Sequence, residues 1–360
     1  MTESGVLADS GIRDMIAQGG ITAALPMAEG QVQPASLDLR LGTVAYRVRA
    51  SFLAGQGHSV AERIAEFEMH RIDLTHGAVL EKGCVYVVPL LESVSLPMGT
   101  SGAASAKSSI GRLDLLTRVI TDNGIEFDRV PDGYGGPLYV EICPRSFSVL
   151  ARTGQMLSQI IFRRGPTRIE DSELAAIHAR SPIVSGPAVI SDGLAFSVGL
   201  RPDNGDLVGY RAKPHTGVID LDRVGYYDPA DFWEEVRTRE GRIILDPGAF
   251  YILVSREAIS IPPDCAAEMA PYIAMVGEFR VHYAGFFDPG FGYDAAGGAG
   301  SRGVLEVRCH EAPFVLEHGQ IVGRLVYERM VSVPDRLYGT DIKSNYQGQG
   351  LKLSKHFRMG

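Results

Sequence analysis

The chain has 360 residues, of which 45% are hydrophobic and 22% charged, and a formal net charge of −8. That length suits two domains of about 150 residues each, and the composition is that of an ordinary globular protein with no ~20-residue apolar run of the kind that crosses a membrane. The mild acidity argues against a nucleic-acid binder, but it leaves room for a local cation cluster that holds a small anion.

In chain order, the N-terminus (MTESGVLADSGIRDMI) lacks a basic start followed by an apolar core, so no secretory signal is expected. Helical patterning is sparse and confined to residues 11–19, 59–70 and 171–180. Asp171 and Ser172 are the expected N-caps of the last, which reads as a linker helix. The remaining periodic segments are short β runs rich in Val, Tyr, Ile and Phe, such as VYVVPL and FYILVS. They are punctuated by turns carrying Gly, Pro, Asp and Asn, such as TDNG, PDGYGG and DPGFG. Strands of this length and spacing predict a sandwich or jelly-roll barrel. Cys84, Cys143, Cys265 and Cys309 are scattered without metal-ligand or disulfide-framework spacing, so thiols in a cytoplasmic protein are expected.

An internal repeat organises these strands. LEKGCVYVVPLLESVSLP (80–97) matches LDPGAFYILVSREAISIP (245–262) at an offset of 165. The same offset aligns residues 135–143 with 300–308, placing Glu141 against Glu306, and 152–162 with 317–327, placing Gly154–Gln155 against Gly319–Gln320. The expected organisation is a first β domain over 1–165, a linker with a short helix over 166–189, a second β domain over 190–330, and a C-terminal lid over 331–360. The copies differ at two places: KSSIGR (107–112) meets YIAMVG (272–277), and the second copy has VHYAGFFDPGF (281–291) where the first has the longer RVITDNGIEFDRVPDGY (118–134). Duplicated domains that lose complementary halves of a site point to one shared site.

Lys107, Ser108, Ser109 and Arg112 combine two cations with two hydroxyls, a set that suits phosphate oxygens or, equally, a solvated loop with serine caps. Glu141 and Glu306 interrupt apolar β runs. Each either faces solvent or points inward, where it must be paired or act as a raised-pKa proton carrier. His282 and Asp288 read either as a ligand contact with a hydroxyl-binding carboxylate or as a core His beside a turn Asp. The tail 337–357, rich in Tyr, Gln, Gly and Lys, reads as a frayed terminus or a segment that orders over an anionic ligand. No His-x-Glu with Pro-Cys-x-x-Cys zinc signature, Walker A sequence or Rossmann glycine fingerprint occurs.

VQPASLDLRLG (32–42), KSSIGRLDL, FFDPGF and the spacing of Tyr338, Tyr346 and Gln349 together resemble the deoxycytidine triphosphate deaminases of the deoxyuridine triphosphatase-like superfamily. The resemblance covers both copies and the tail. It implies two tandem distorted jelly-roll domains, mainly β, and hydrolysis of dCTP to dUTP and ammonia in deoxynucleotide synthesis. It implies Ser108, Arg112 and Glu306 as catalytic residues, with Glu141 as the matching glutamate of the first copy. Lys107, Ser109, His282, Ala284, Asp288, Phe291, Gln320, Tyr338, Tyr346, Gln349 and Lys352 are the implied substrate contacts. Phe291 replaces the family's usual Trp, and Lys107 its usual Arg, which keeps the charge but loses the bidentate fork. Because the family's sites form between neighbouring subunits, the first copy is expected to supply 107–112 and the second 281–306, with E306Q dead and E141Q silent. The implied cofactor is Mg²⁺ carried on the substrate triphosphate, with no protein-bound metal, zinc or organic group. The implied partners are dCTP or dUTP, dTTP as a feedback inhibitor, and further copies of the chain in a trimer or a dimer. Rival readings are a dUTP diphosphatase or bifunctional enzyme, a non-catalytic deoxynucleotide sensor, and a structural scaffold.

Overall fold

A computed structural model describes residues 4–271, 279–282, 285–294, 300–339, 342–343 and 347–358. It divides into two compact units: Met1–Thr167 with Gly217–Tyr227, and Arg168–Thr216 with Asp228–Gly360.

Unit 1 stacks two antiparallel sheets. One runs Gly5–Val6, Met156–Arg164, Thr100–Ala106, Arg129–Val130, with Leu37–Arg40 also on Met156–Arg164. The other runs Glu68–Asp73, Val44–Val48, Val85–Ser95, Gly135–Pro144, Leu115–Thr121, with Ile21–Ala23 on Val85–Ser95. Alternation sorts the faces. On Gly135–Pro144 the even positions Leu138, Val140 and Ile142 are fully buried between the sheets, and Tyr139, Glu141 and Cys143 take the opposite face. Each such apolar side chain contributes about 1.5–3 kcal/mol over its exposed state.

Unit 2 repeats the plan. Leu194–Ser197, Ile321–Arg329, Cys265–Pro271 and Phe286–Phe287 form one sheet. Trp233–Arg237, Leu207–Ala212, Phe250–Ile259, Ser301–Cys309 and Phe279–His282 form the other. Its core gathers Phe196, Leu253, Leu305, Leu325 and Tyr327.

The repeat is written into the hydrogen bonding. Glu141 lies opposite Val87, and Glu306 opposite Ile252, both pairs separated by 165 residues from their counterparts. The Gly42 amide donates to Pro89 and the Gly199 amide to Val254. Glu92 accepts the Arg40 amide at 2.8 Å, and its counterpart Glu257 accepts the Ser197 amide at 2.9 Å. These two glutamates are structural: each ties the end of a short strand to the long strand that follows. The fold is thus mainly β, with two tandem copies of one sheet plan.

Three helices fall where the pattern predicts them, at Asp9–Ala17, Val60–Phe67 and Asp171–Arg180. Val60–Phe67 is closed by a capping box between Ser59 and Glu62. The third helix differs from expectation at its start. Glu170 occupies the N-cap without a side-chain cap, and the Asp171 carboxylate instead accepts the amides of Asp192 and Gly193. Those turn amides hold its carboxyl below the usual carboxylate range.

Candidate functional site

The Lys107–Arg112 segment is a single helical turn, Ser108–Gly111, between the strands Thr100–Ala106 and Leu115–Thr121. The amides of Ile110 and Gly111 both donate to the Lys107 carbonyl, which curls the chain at once after the strand. The curl sorts the side chains: Ser108 is exposed, while Ser109 and Arg112 are buried. The Lys107 ammonium pairs with the buried carboxylate of Asp38. That residue belongs to the LDLR strand of the 32–42 segment, so two sequence-distant parts of the resemblance meet in one ion pair.

Glu141, the first-copy glutamate, is caged. Across the ladder it lies opposite Arg118, whose guanidinium donates to Glu141 Oε1 at 2.5 Å and to Ser51 Oγ at 2.9 Å. The guanidinium also sits 3.7 Å from the centroid of Phe127. Ser51 begins a segment that folds back over this face. Phe52 stacks on Phe67 at 5.5 Å, and Phe52, Val60 and Ile64 pack on Val48, Val87 and Ile120. Nearby Asp128, in the left-handed region at φ +61°, accepts the Val119 amide at 2.8 Å. Burial, offset by that bond and by Arg118 and Arg129, pushes its carboxyl up to about 7.

In unit 2 the equivalent ladder position is different. Glu306 is buried, 4% exposed, and lies opposite His282, where unit 1 has Arg118 opposite Glu141. Of His282 only the backbone is described, and Ala284, Tyr346 and the stretch 272–277 lie outside the described residues.

The structure brings Asp288, Phe291, Tyr338 and Gln349 onto one assembly. Phe291 is buried in the Asp288–Gly292 turn, 5.2 Å from Phe287 and 5.6 Å from Tyr338, between ring centroids. The Tyr338 amide donates to Pro289 O, and the Arg302 amide to Gln349 O. Gln347, a residue the sequence reading passed over, clamps the turn: its Oε1 accepts the Gly292 amide at 3.0 Å, and its Nε2 donates to Gly290 O at 3.2 Å. Gly292 stands at φ +66°, and a Cβ there would lie 2.1 Å from Ile259 O. Beyond it the tail docks Phe357 edge-on against Phe232, 5.5 Å away, and Lys352 lies half-buried along it. Phe232 is the 165-offset counterpart of Phe67, so the tail covers in unit 2 the ring that Phe52 covers in unit 1. Gln320 stands apart from this assembly. Its Oε1 accepts the Glu317 amide and braces its own turn.

Among the described residues no group of three His, Cys, Asp or Glu could hold a metal ion.

Models of the two domains of 2'-deoxycytidine 5'-triphosphate deaminase match end to end, the N-terminal domain over residues 3–166 and the C-terminal domain over 170–357. The chain belongs to the 2'-deoxycytidine 5'-triphosphate deaminase family. It is 54% identical to a family member of known crystal structure, the enzyme from Agrobacterium tumefaciens, with a TM-score of 0.88 over 91% of this chain and 99% of that one. Other relatives are more distant. A dUMP-forming dCTP deaminase of Methanothermobacter thermautotrophicus is 32% identical over 42% of this chain and 74% of its own length. A dCTP deaminase of Halorubrum lacusprofundi is 28% identical over 44% of this chain and 76% of its own. Matches covering under half of this chain are what a family member built from two copies produces.

Proposed function

We propose that this chain is a dCTP deaminase, hydrolysing the C4 amine of the substrate to release ammonia and leave dUTP. The observation that carries the reading is the 54% identity to the Agrobacterium tumefaciens enzyme across 99% of that chain. Glu306 is the reacting carboxylate in this reading. It takes a proton from water as the oxygen attacks C4 and passes it to N3, then takes the second proton from the new C4 hydroxyl and delivers it to the amine, which leaves as ammonia while the C4 carbonyl forms. Ser108 orients that water, and Arg112 keeps the glutamate ionised at the start. Asp288 accepts from the sugar hydroxyl, and His282, Ala284 and Phe291 surround the nucleoside. Lys107, Ser109, Tyr338, Tyr346, Gln349 and Lys352 take the triphosphate. Mg²⁺ enters on the phosphates and neutralises their charge there. Glu141 is structural in this reading, because Arg118 already occupies it and the Phe52 segment covers its face.

Two products are open to this chemistry, since the relatives include both dCTP deaminases and dUMP-forming ones. Ammonia release from dCTP with Mg²⁺, read with chromatography of the nucleotides, tests both. Ammonia with dUTP supports the deaminase, and ammonia with dUMP and pyrophosphate makes the site bifunctional. Bound dCTP without turnover sinks the enzymatic reading and makes the chain a nucleotide sensor. Action in the cytoplasm and regulation by dTTP belong to the same proposal, as does assembly with further copies as a trimer or dimer. No helix among the described residues is long and apolar enough to cross a membrane.

A further inference from the structure

Each unit carries a small ribbon beside its Gly-Gln turn, and the two ribbons differ by one strand. In unit 1, Ala78–Leu80 and Val149–Ala151 are joined by a third strand, Ile219–Asp220, running parallel to Val149–Leu150. The Ile219 amide donates to Ser148 O at 3.0 Å and the Leu221 amide to Leu150 O at 3.2 Å. The added strand is acidic, and its carboxylates are received by a cation and an amide. Arg152 Nη1 donates to Asp220 at 2.5 Å and to Asp222 at 2.8 Å. Gln155 Nε2 donates to Asp222 at 2.6 Å. The Arg152 side chain lies over Gly77, where a Cβ would come within 3.1 Å of it.

In unit 2, the ribbon of Arg242–Leu245 and Phe314–Glu317 has two strands among the described residues. Part of the receiving apparatus nevertheless has a counterpart. Gln320 Oε1 braces the Glu317 amide as Gln155 Oε1 braces that of Arg152. An arginine again lies over a glycine: a Cβ on Gly241, at φ +76°, would fall 2.6 Å from Arg201 Nε. Arg256 adds a second guanidinium, 3.4 Å from a Cβ placed on Gly319. Arg201 and Arg256 are exposed and make no ion pair among the described residues, although the chain carries more carboxylates than cations. Arg302, by contrast, is answered by Asp203 at 3.5 Å. Burial first, then Arg256 and Arg201, hold the His318 imidazole below its ordinary range against the opposing pull of Glu257. Glu317 takes the sequence position of Arg152 and lies across the ladder from Arg242.

The edge itself is exposed. Val315, the counterpart of Leu150, is 50% exposed, and its ladder neighbour Ile244 is 63% exposed. Backbone groups alternate sides along a strand, so the Val315 amide and carbonyl face away from Arg242–Leu245, as those of Leu150 face the added strand. An edge of this kind is a template for a further strand.

We propose that the edge at Val315, rimmed by Arg201 and Arg256, is a docking site for an extended acidic segment of a partner protein, with carboxylates alternating with apolar residues. The occupant is defined by the strand the sister unit already holds, Ile-Asp-Leu-Asp at 219–222, and by charge complementarity to the two guanidiniums. The segment adds as a parallel third strand: main-chain bonds to Val315 give affinity, and the carboxylates reaching the arginines give selectivity.

The test uses the full chain and a fluorescein-labelled peptide spanning Gly217–Tyr227, with anisotropy as the readout. Saturable binding is expected, weakened by about tenfold or more for the Arg201→Ala/Arg256→Ala double variant and for a peptide with both Asp replaced by Asn. Val315→Pro removes only the edge donor, so it is expected to weaken binding equally while ammonia release from dCTP stays at the parent rate. Absence of binding overturns the proposal. So does binding that both variants retain, which would mean that the peptide has taken the unit 1 position instead. Self-association of the parent chain that Val315→Pro abolishes also overturns it, because a second copy then fills the edge.

Discussion

At the scale of single residues, the two glutamates have different prospects. Opposite Glu141 is Arg118, which holds one of its carboxylate oxygens in an ion pair inside a covered face. Glu306, buried at the equivalent ladder position, is the proton carrier of the proposed reaction. Glu306→Gln is expected to lower kcat by about 10²–10⁴, the contribution of a positioned proton carrier. Glu141→Gln is expected to leave kcat unchanged and to lower stability by about 1–3 kcal/mol, because Arg118 loses its counter-charge. Parallel kinetics and thermal unfolding of the two variants check both, and a dead E141Q beside an active E306Q reverses the assignment. Asp128 supplies a pH prediction. Its folded pKa, about 7, lies above its ordinary value of 3.8, so between those values the folded state holds a proton that the unfolded state has released. Stability attributable to this group is full at acid pH, falls as pH rises through that window, and is lost above about 7. Asp128→Asn keeps the acceptor for the Val119 amide and tolerates the left-handed backbone. It is expected to be neutral near pH 3 and stabilising at pH 8. Partial solvent contact limits the gain to about 1–2 kcal/mol.

At the scale of elements, the Asp288–Gly292 turn is held from outside by the tail. Two hydrogen bonds from one Gln347 carboxamide fix its backbone. Gln347→Ala is expected to raise KM for dCTP by about tenfold, two bonds at roughly 0.5–1.5 kcal/mol each, with a smaller change in kcat. A variant with unaltered KM shows that the turn holds its shape without the clamp. The sequence reading placed Tyr338 and Gln349 on this tail by spacing, and both lie on it. Gln347 carried no signal, because a glutamine among glycines looks the same whether it faces solvent or a backbone turn folded against it from 55 residues away. The Lys107–Arg112 turn was legible as a polar cluster. That Lys107 answers the buried Asp38 was not, since nothing local marks Asp38 as facing inward.

At the scale of the whole molecule, the constant offset of 165 announced two copies of one sheet plan, and the matching ladder registers bear it out. It did not announce that Gly217–Tyr227, which the repeat assigns to the second copy, completes a sheet of unit 1. Asp220 is held below the ordinary carboxylate range chiefly by Arg152, so this tether is present above that range and weakens as pH falls through the folded pKa. Replacing both Asp220 and Asp222 by Asn is expected to release the strand at neutral pH, read as faster tryptic cleavage at Arg223. An unchanged cleavage rate means that the backbone pairing alone holds it. What the sequence determined by itself is one-dimensional: alternation, turn residues, a repeat, and the family's polar motifs, each encoded within a few residues or a fixed spacing. What the tertiary structure decided is which partner each polar group meets: Arg118 on Glu141, Gln347 on the turn, Arg152 on the borrowed strand. Those pairings join residues up to about seventy positions apart, and only the burial of apolar faces brings them together, so no local pattern can record them.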